Sequence, residues 1–365
     1  MSIWRWVDYF SAIPPSAQLS LGEGNTPLVK SRRIGPRSGL ENLYFKLETS
    51  NPSGSYKDRF AAAALGDMLA NGKQRVIATS SGNTGSALAA YCAAAGVTCE
   101  IAIVDGAPCG KLTQMMAYGA EIYMIEGFGI SPQVTDQVIH YLERLAAQPG
   151  NALQISAYKF SPAGMAGVQT IGYELAEQAG HAGHRIDHVF VPAGGGGLTL
   201  AVARGFADLV ERSECDSSPA IHCVQPEGNN TIAGPLRDGR DRAQAVTSAS
   251  MISGLQVGSV IDGDAVIRAC REAAGTGHLV DDPAVWAMQR RLVREEGVFC
   301  EPAGAVALCG ALQAVVHGEI GGNDHIVCLV TGSGFKDAAA IDRMIANDIC
   351  PTQKVAALAA RVDAT

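Results

Sequence analysis

Runs of basic residues are missing from this chain, and charged residues make up only 18% of it. With a formal net charge of −8, it offers nucleic acid and anionic membrane surfaces no electrostatic footprint, so both are poor partners. No apolar stretch reaches the ~18 residues that a spanning helix needs. The opening MSIWRWVDYFSAIPP has no basic start followed by an apolar core, so it does not read as a secretory signal. The ten cysteines form no CxxC pair, and most lie in apolar segments such as AAYCAAAG and IVCLVTG. Small buried thiols in a reducing cytoplasm suit such a chain better than a disulfide framework does. No cysteine has a His or Asp partner at a readable spacing, no metal site is expected, and no internal repeat is visible. The composition suits a compact α/β enzyme better than a solvated or disordered chain. At 365 residues, 47% of them hydrophobic, the chain can bury a core as two domains or as one large unit.

Strand-like and helix-like segments alternate. The expected strands are LYFKLE (43–48), RVIATS (75–80), CEIAIV (99–104), EIYMIE (121–126), ALQIS (152–156), HVFVPA (188–193), AIHCVQ (220–225) and HIVCLVTG (325–332). Between them, Leu88, Tyr91, Cys92 and Ala95 fall at helical spacing, as do Val285, Met288, Leu292 and Val293. Short apolar strands separated by helices predict parallel sheets covered on both faces. In such sheets ligands gather where strands end and helices begin.

Four stretches at such places carry unusual chemistry. In ETSNPSGSYKDR (48–59) turn formers open an alanine-rich helix, and Lys57 stands at its start, where the helix dipole disfavours a cation. A solvated surface lysine is the plain explanation. In ATSSGNTGSALAA (78–90) hydroxyls and glycines precede a helix, which suits either a carboxylate or ordinary capping by Ser81 or Asn83. In HVFVPAGGGGLTLAVARGF (188–206) four glycines lie between a strand and a helix. A bare backbone there suits a phosphate, and the absence of a following Lys-Ser/Thr pair argues against a nucleotide triphosphate. A dinucleotide turn competes, with Glu227 as its distant acidic partner. In VCLVTGSGFKD (327–337) Thr331 and Ser333 present hydroxyls after a strand. A lysine amine, a glycine cup and a carboxylate site together suggest pyridoxal 5′-phosphate as cofactor and an amino acid as substrate.

ETSNPSGSYKDR, SSGNTGSALAAYCAAAG, VPAGGGGL, REEGVFCEPAGAVAL and VTGSGFKD also resemble the motifs of fold-type II pyridoxal phosphate enzymes, the threonine synthase group above all. The resemblance runs from LGEGNTPL (21–28) to about residue 338. It implies a two-domain parallel-sheet α/β fold with the cofactor between the domains, the larger formed by 1–61 plus 159–365 and the smaller by 62–158. It implies that Lys57 is the Schiff-base lysine and later the base at Cα. Asn83 would bind the cofactor's 3′-oxygen, Gly194, Gly195, Gly196 and Gly197 its phosphate, and Thr331 its pyridine nitrogen. Ser80, Ser81 and Thr84 would hold the substrate carboxylate, with Lys111 near a substrate phosphate and Glu301 anchoring a loop or facing the ring. A homodimer is expected on the same ground.

One departure bears on the reaction. Where the threonine synthase group carries an arginine for the substrate's phosphate, FSPAGMAGVQT (160–170) has Gly164, and a glycine makes no bidentate contact to a phosphoryl group. The expected activity is therefore a threonine synthase-like elimination or replacement at the β or γ carbon, with an ammonia-lyase or β-replacement placed ahead of authentic threonine synthesis. An NAD-dependent oxidoreductase is the alternative from another class, and it leaves Lys57 unexplained.

Overall fold

The alternating apolar segments fold into two separate sheets. The computed structural model describes residues 2–356 except Ser11, Ser81, Gly106 and Pro108, with the side chains of 109–111 also set aside. Its strands are β1 (Leu28–Lys30), β2 (Leu43–Leu47), β3 (Arg75–Thr79), β4 (Thr98–Ile103), β5 (Glu121–Met124), β6 (Asn151–Gln154), β7 (His188–Pro192), β8 (Ala220–Pro226), β9 (Gly277–Val280) and β10 (Ile326–Val330). All eight expected strands are present. The sequence reading missed β1 and β9.

One sheet has the order β1-β2-β10-β7-β8-β9 and the other β5-β4-β3-β6. Only β1 pairs antiparallel. In the larger sheet Ile326 is opposite both Leu43 and His188, so β2, β10 and β7 end level with one another. In the smaller sheet Ala78 is opposite Gln154, which brings the ends of β3 and β6 together. Strand β10 is buried on both faces. Val327 and Leu329 enter one hydrophobic cluster, while Ile326, Cys328 and Val330 enter another on the opposite side. This is the continuous apolar run of a central parallel strand.

The helix Lys57–Ala70 packs against Pro162–His181. Small residues permit the close approach: a Cβ on Gly167 would stand 2.6 Å from that of Ala63. Beneath this contact lies a buried ionic network. Arg59 donates to Glu48 and Glu174 in bonds of 2.8 Å, and Lys46 donates to Glu174 at the same distance. The start of the Lys57 helix is thereby fixed to the end of β2 and to the helix after β6. Nine described cysteines are free, and seven of them are buried. Among the described residues, no helix is long and apolar enough to cross a membrane.

Candidate active site

Two loops and a strand end meet around Lys57. The turn after β10 pairs with the loop before Lys57 through a bridge between Ser55 and Gly332, and Tyr56 N–H donates to the Thr331 carbonyl at 3.1 Å. On its other side the same turn receives the Glu301 N–H at the Gly332 carbonyl, 3.0 Å away. The motifs around Lys57, Glu301 and Thr331, remote in sequence, therefore form one wall.

Lys57 as a whole is half-buried, but its amine turns inward and donates to Ser156 Oγ at 2.7 Å. Its hydrogen-bond partner is neutral, and among the described residues no carboxylate pairs with it. Burial lowers its pKa to about 7, while the charge of Glu301 resists the shift. A lysine so placed exists about half as a free amine near neutral pH, the form that attacks an aldehyde. The helix dipole acts in the same direction.

Ser156 also borders the glycine run. Its carbonyl would lie 3.4 Å from a Cβ on Gly197, the first residue of the helix Gly197–Glu211. Gly196 caps that helix with φ at +89°, and a Cβ there would meet Val266 Cγ2 at 2.6 Å. Gly196 is thus demanded by backbone conformation and packing, whatever binds. Gln225 holds the Gly194 carbonyl at 3.0 Å, and Gly195 has only Val257 near its Cβ direction.

From the smaller sheet comes the helix Asn83–Ala95. Asn83 Nδ2 donates to Glu301 Oε1 at 2.8 Å, so the asparagine is held by the wall that carries Thr331. Ser80 Oγ accepts from Gly82 N–H at 3.2 Å and shapes the turn, and Thr84 is buried just behind. Ser81 lies outside the described residues, as does the side chain of Lys111 on the helix Cys109–Ala117. Gln114 of that helix bridges two elements: Nε2 donates to the Ser53 carbonyl at 3.1 Å, and Oε1 accepts from Lys336 Nζ at 2.6 Å.

Thr331 is 4% exposed, and among the described residues its Oγ1 has no hydrogen-bond partner. A buried hydroxyl left unpaired costs about 1–3 kcal/mol, a cost that a ligand atom placed against it would relieve. Together with a desolvated lysine amine and a glycine-lined helix start whose first N–H groups have no intrahelical partner, it makes a donor set that fits pyridoxal 5′-phosphate.

Position 164 does not look into this cleft. A Cβ on Gly164 would lie 2.6 Å from Phe60 Cε2 and 3.1 Å from Ala64 Cβ. The residue of that helix that reaches the site is Met165, whose Sδ is 3.6 Å from Ser156 Oγ. Ser156, Gln114 and Lys336 are the members of the site that the sequence reading did not assign. Ser156 follows a strand end and was open to discovery by that rule, whereas Gln114 and Lys336 meet only through tertiary contact.

The family described as pyridoxal-phosphate dependent enzyme matches residues 19–332. Curated relatives include the threonine synthase of Methanocaldococcus jannaschii, 29% identical over 345 residues, which are 94% of this chain and 82% of the relative. The threonine synthase of Methanosarcina acetivorans is 31% identical over 342 residues, 92% of this chain and 80% of the relative. The processed form of threonine deaminase isoform 2 from Solanum lycopersicum shares the fold, with a TM-score of 0.72 at 22% identity and coverage of 95% of this chain and 94% of that one. The family match runs through the 188–206 turn, and Glu227 is exposed. The dinucleotide reading of those glycines is therefore given up.

Proposed function

The chain belongs to the family of pyridoxal-phosphate dependent enzymes and is threonine synthase-like within it; from that premise we propose that it eliminates or replaces a β- or γ-substituent of a small amino acid. The observation that carries this reading is the Lys57 amine, desolvated and held by the neutral Ser156 hydroxyl. Pyridoxal 5′-phosphate, when bound, supplies an aldehyde for an amine and a ring that draws electrons from the substrate's Cα. The residues of the chain do the rest. Lys57 Nζ, a free amine in about half the molecules near pH 7, accepts the Cα proton. Asn83 Nδ2 would hold the cofactor's 3′-oxygen, and the N–H groups of Gly194 to Gly197 would hold its phosphate. Ser80, Ser81, Thr84 and the first turn of the helix Asn83–Ala95 hold the substrate carboxylate.

Thr331 Oγ1 would hold the pyridine nitrogen of the cofactor. A neutral hydroxyl does not force a proton onto that nitrogen as a carboxylate would, which favours elimination and replacement over transamination. An ammonia-lyase or β-replacement activity stands first, because the packing at position 164 leaves no room for a phosphate-binding side chain. Authentic threonine synthesis from O-phosphohomoserine is the second reading, favoured by the curated relatives that carry that name. Turnover of serine, threonine, 3-hydroxyaspartate and O-phosphohomoserine by the cofactor-loaded protein decides between them. Phosphate release from O-phosphohomoserine, with the other three inert, would reverse the order. Lys57→Ala should abolish both turnover and the absorbance of lysine-bound cofactor.

A homodimer, a cytoplasmic setting suggested by the free thiols, and a division into 1–61 plus 159–365 and 62–158 complete the proposal. Sedimentation of the purified protein tests the first of these.

A further inference from the structure

Beside Asn83 lies a small cleft lined by Gly82, Ser86, Gln114, Glu301 and Lys336 among others. Lys336 ends the 3-10 turn Gly334–Lys336 that follows β10. It is half-buried, and its ammonium donates to the neutral Gln114 Oε1 at 2.6 Å. Among the described residues, no carboxylate lies within ion-pair distance of it. Burial lowers its pKa, while the charges of Glu301 and Asp58 act to raise it. A desolvated cation is costly unless an anion balances it. A lysine carries three N–H donors, and one amide oxygen leaves donors free. Lys336 is therefore a cation with unused capacity, facing the same cleft as Asn83.

We infer that this cleft selects amino acids whose side chain ends in a carboxylate, and that Lys336 is the substrate-binding residue that reads it. The inference rests on the proposed amino-acid chemistry, in which the α-carboxylate is taken by the helix start at Asn83 and a second anionic group is left for Lys336. Among the described residues the cleft offers a dianion one ammonium, beside the Glu301 carboxylate, so the described charges favour a monoanion over a phosphate ester. Position 164 adds no cation, because Phe60 fills the space there. In the absence of substrate, Gln114 occupies one donor of Lys336 and is itself held by the Ser53 carbonyl. A side-chain carboxylate takes the place of that amide oxygen.

The test compares kcat/KM of the holoenzyme for 3-hydroxyaspartate, serine and O-phosphohomoserine in the wild type, Lys336→Met and Lys336→Arg. A charge-assisted contact of this kind corresponds to roughly 10–100-fold. Lys336→Met should lose that factor on 3-hydroxyaspartate, chiefly in KM, and lose clearly less on serine, so that the ratio of the two kcat/KM values falls by about tenfold or more. Lys336→Arg should recover most of the loss. Equal losses on the neutral and acidic substrates, no loss on either, or a preference for O-phosphohomoserine that Lys336→Met removes would each overturn the inference. If no amino acid turns over, the lyase reading fails separately, and calorimetric titration of the holoenzyme still decides about Lys336. L-Aspartate should bind about tenfold or more tighter than L-2-aminobutyrate, a preference that Lys336→Met erases; equal binding in the wild type overturns the inference.

Discussion

The ring of Phe60 occupies the space that a side chain at position 164 would enter. A Cβ on Gly164 would stand 2.6 Å from Cε2 and 2.8 Å from Cδ2 of that ring, and Phe60 is wholly buried. The two helices they belong to can lie this close only because one of the pair is glycine. Gly164→Ala should therefore destabilise the protein by about 1–3 kcal/mol through overpacking. In a Phe60→Ala background the same change should cost much less, because the space has been vacated. Denaturant midpoints of the four proteins in this cycle give the coupling. Strictly additive costs would show that the residues do not compete for one volume.

The low pKa of Lys57 gives its reactivity a distinctive pH profile. Capture of pyridoxal phosphate by the apoprotein, followed as a borohydride-trapped lysine adduct, should reach half its maximal rate near pH 7. An exposed lysine would reach it near ~10. The sign for stability follows from the same shift. Between about pH 7 and the unfolded value of ~10.4 the unfolded chain holds a proton that folded Lys57 lacks. This group therefore makes apoprotein stability rise with pH across that window and level off below it. Lys57→Ala supplies the blank for both measurements, and a capture midpoint near 10 would refute the desolvated amine.

Thr331→Val separates stability from cofactor binding. The hydroxyl it removes is buried without a partner, so the apoprotein should melt at the same temperature or slightly higher. Affinity for pyridoxal phosphate should fall by roughly tenfold, the worth of a typical hydrogen bond. Fluorescence titration alongside thermal melts reads both. Unchanged affinity would mean that Thr331 Oγ1 meets no cofactor atom.

Arg59 lies between two buried carboxylates, Glu48 and Glu174. Arg59→Met leaves Glu48 without a cation and Glu174 with Lys46 alone, and should cost about 3–5 kcal/mol at neutral pH. Burial by itself pushes the Glu174 carboxyl up, but Arg59 and Lys46 more than offset it and hold it below the usual range. In the wild type that contribution is present above the unfolded value of ~4.3 and is lost as pH falls through the folded one. In the variant the slope should weaken or reverse, because stranded buried carboxyls favour protonation. Urea unfolding at a neutral and a mildly acidic pH distinguishes the two slopes.

The strands and the glycine turns were legible because each is a local pattern. Apolar runs such as IVCLV are short and bounded, and β10 is buried on both faces as such a run requires. Strands β1 and β9 were not legible. Three residues of LVK hold too few positions for a period to show, GHLV opens on a glycine, a poor strand former, and the pairing of both is set by neighbours already in place. The glycine run was found for an incomplete reason, since Gly196 answers to its left-handed backbone and to Val266 and Ile232. Gly164 was singled out as a missing charge, and its contact with Phe60 was invisible at a separation of more than a hundred residues.

By itself the sequence determined the class of fold and the cofactor family, and it singled out Lys57 as the candidate reactive lysine. These rest on short motifs whose backbone and donor requirements are local. Tertiary structure decided what surrounds that lysine. Packing placed Ser156 on its amine, 99 positions along the chain, and set Lys336 against Gln114, 222 positions away. Desolvation and charge balance are properties of volumes rather than of stretches of chain. The pKa of Lys57 and the charge the cleft will accept therefore appear only once the two sheets and their helices are assembled.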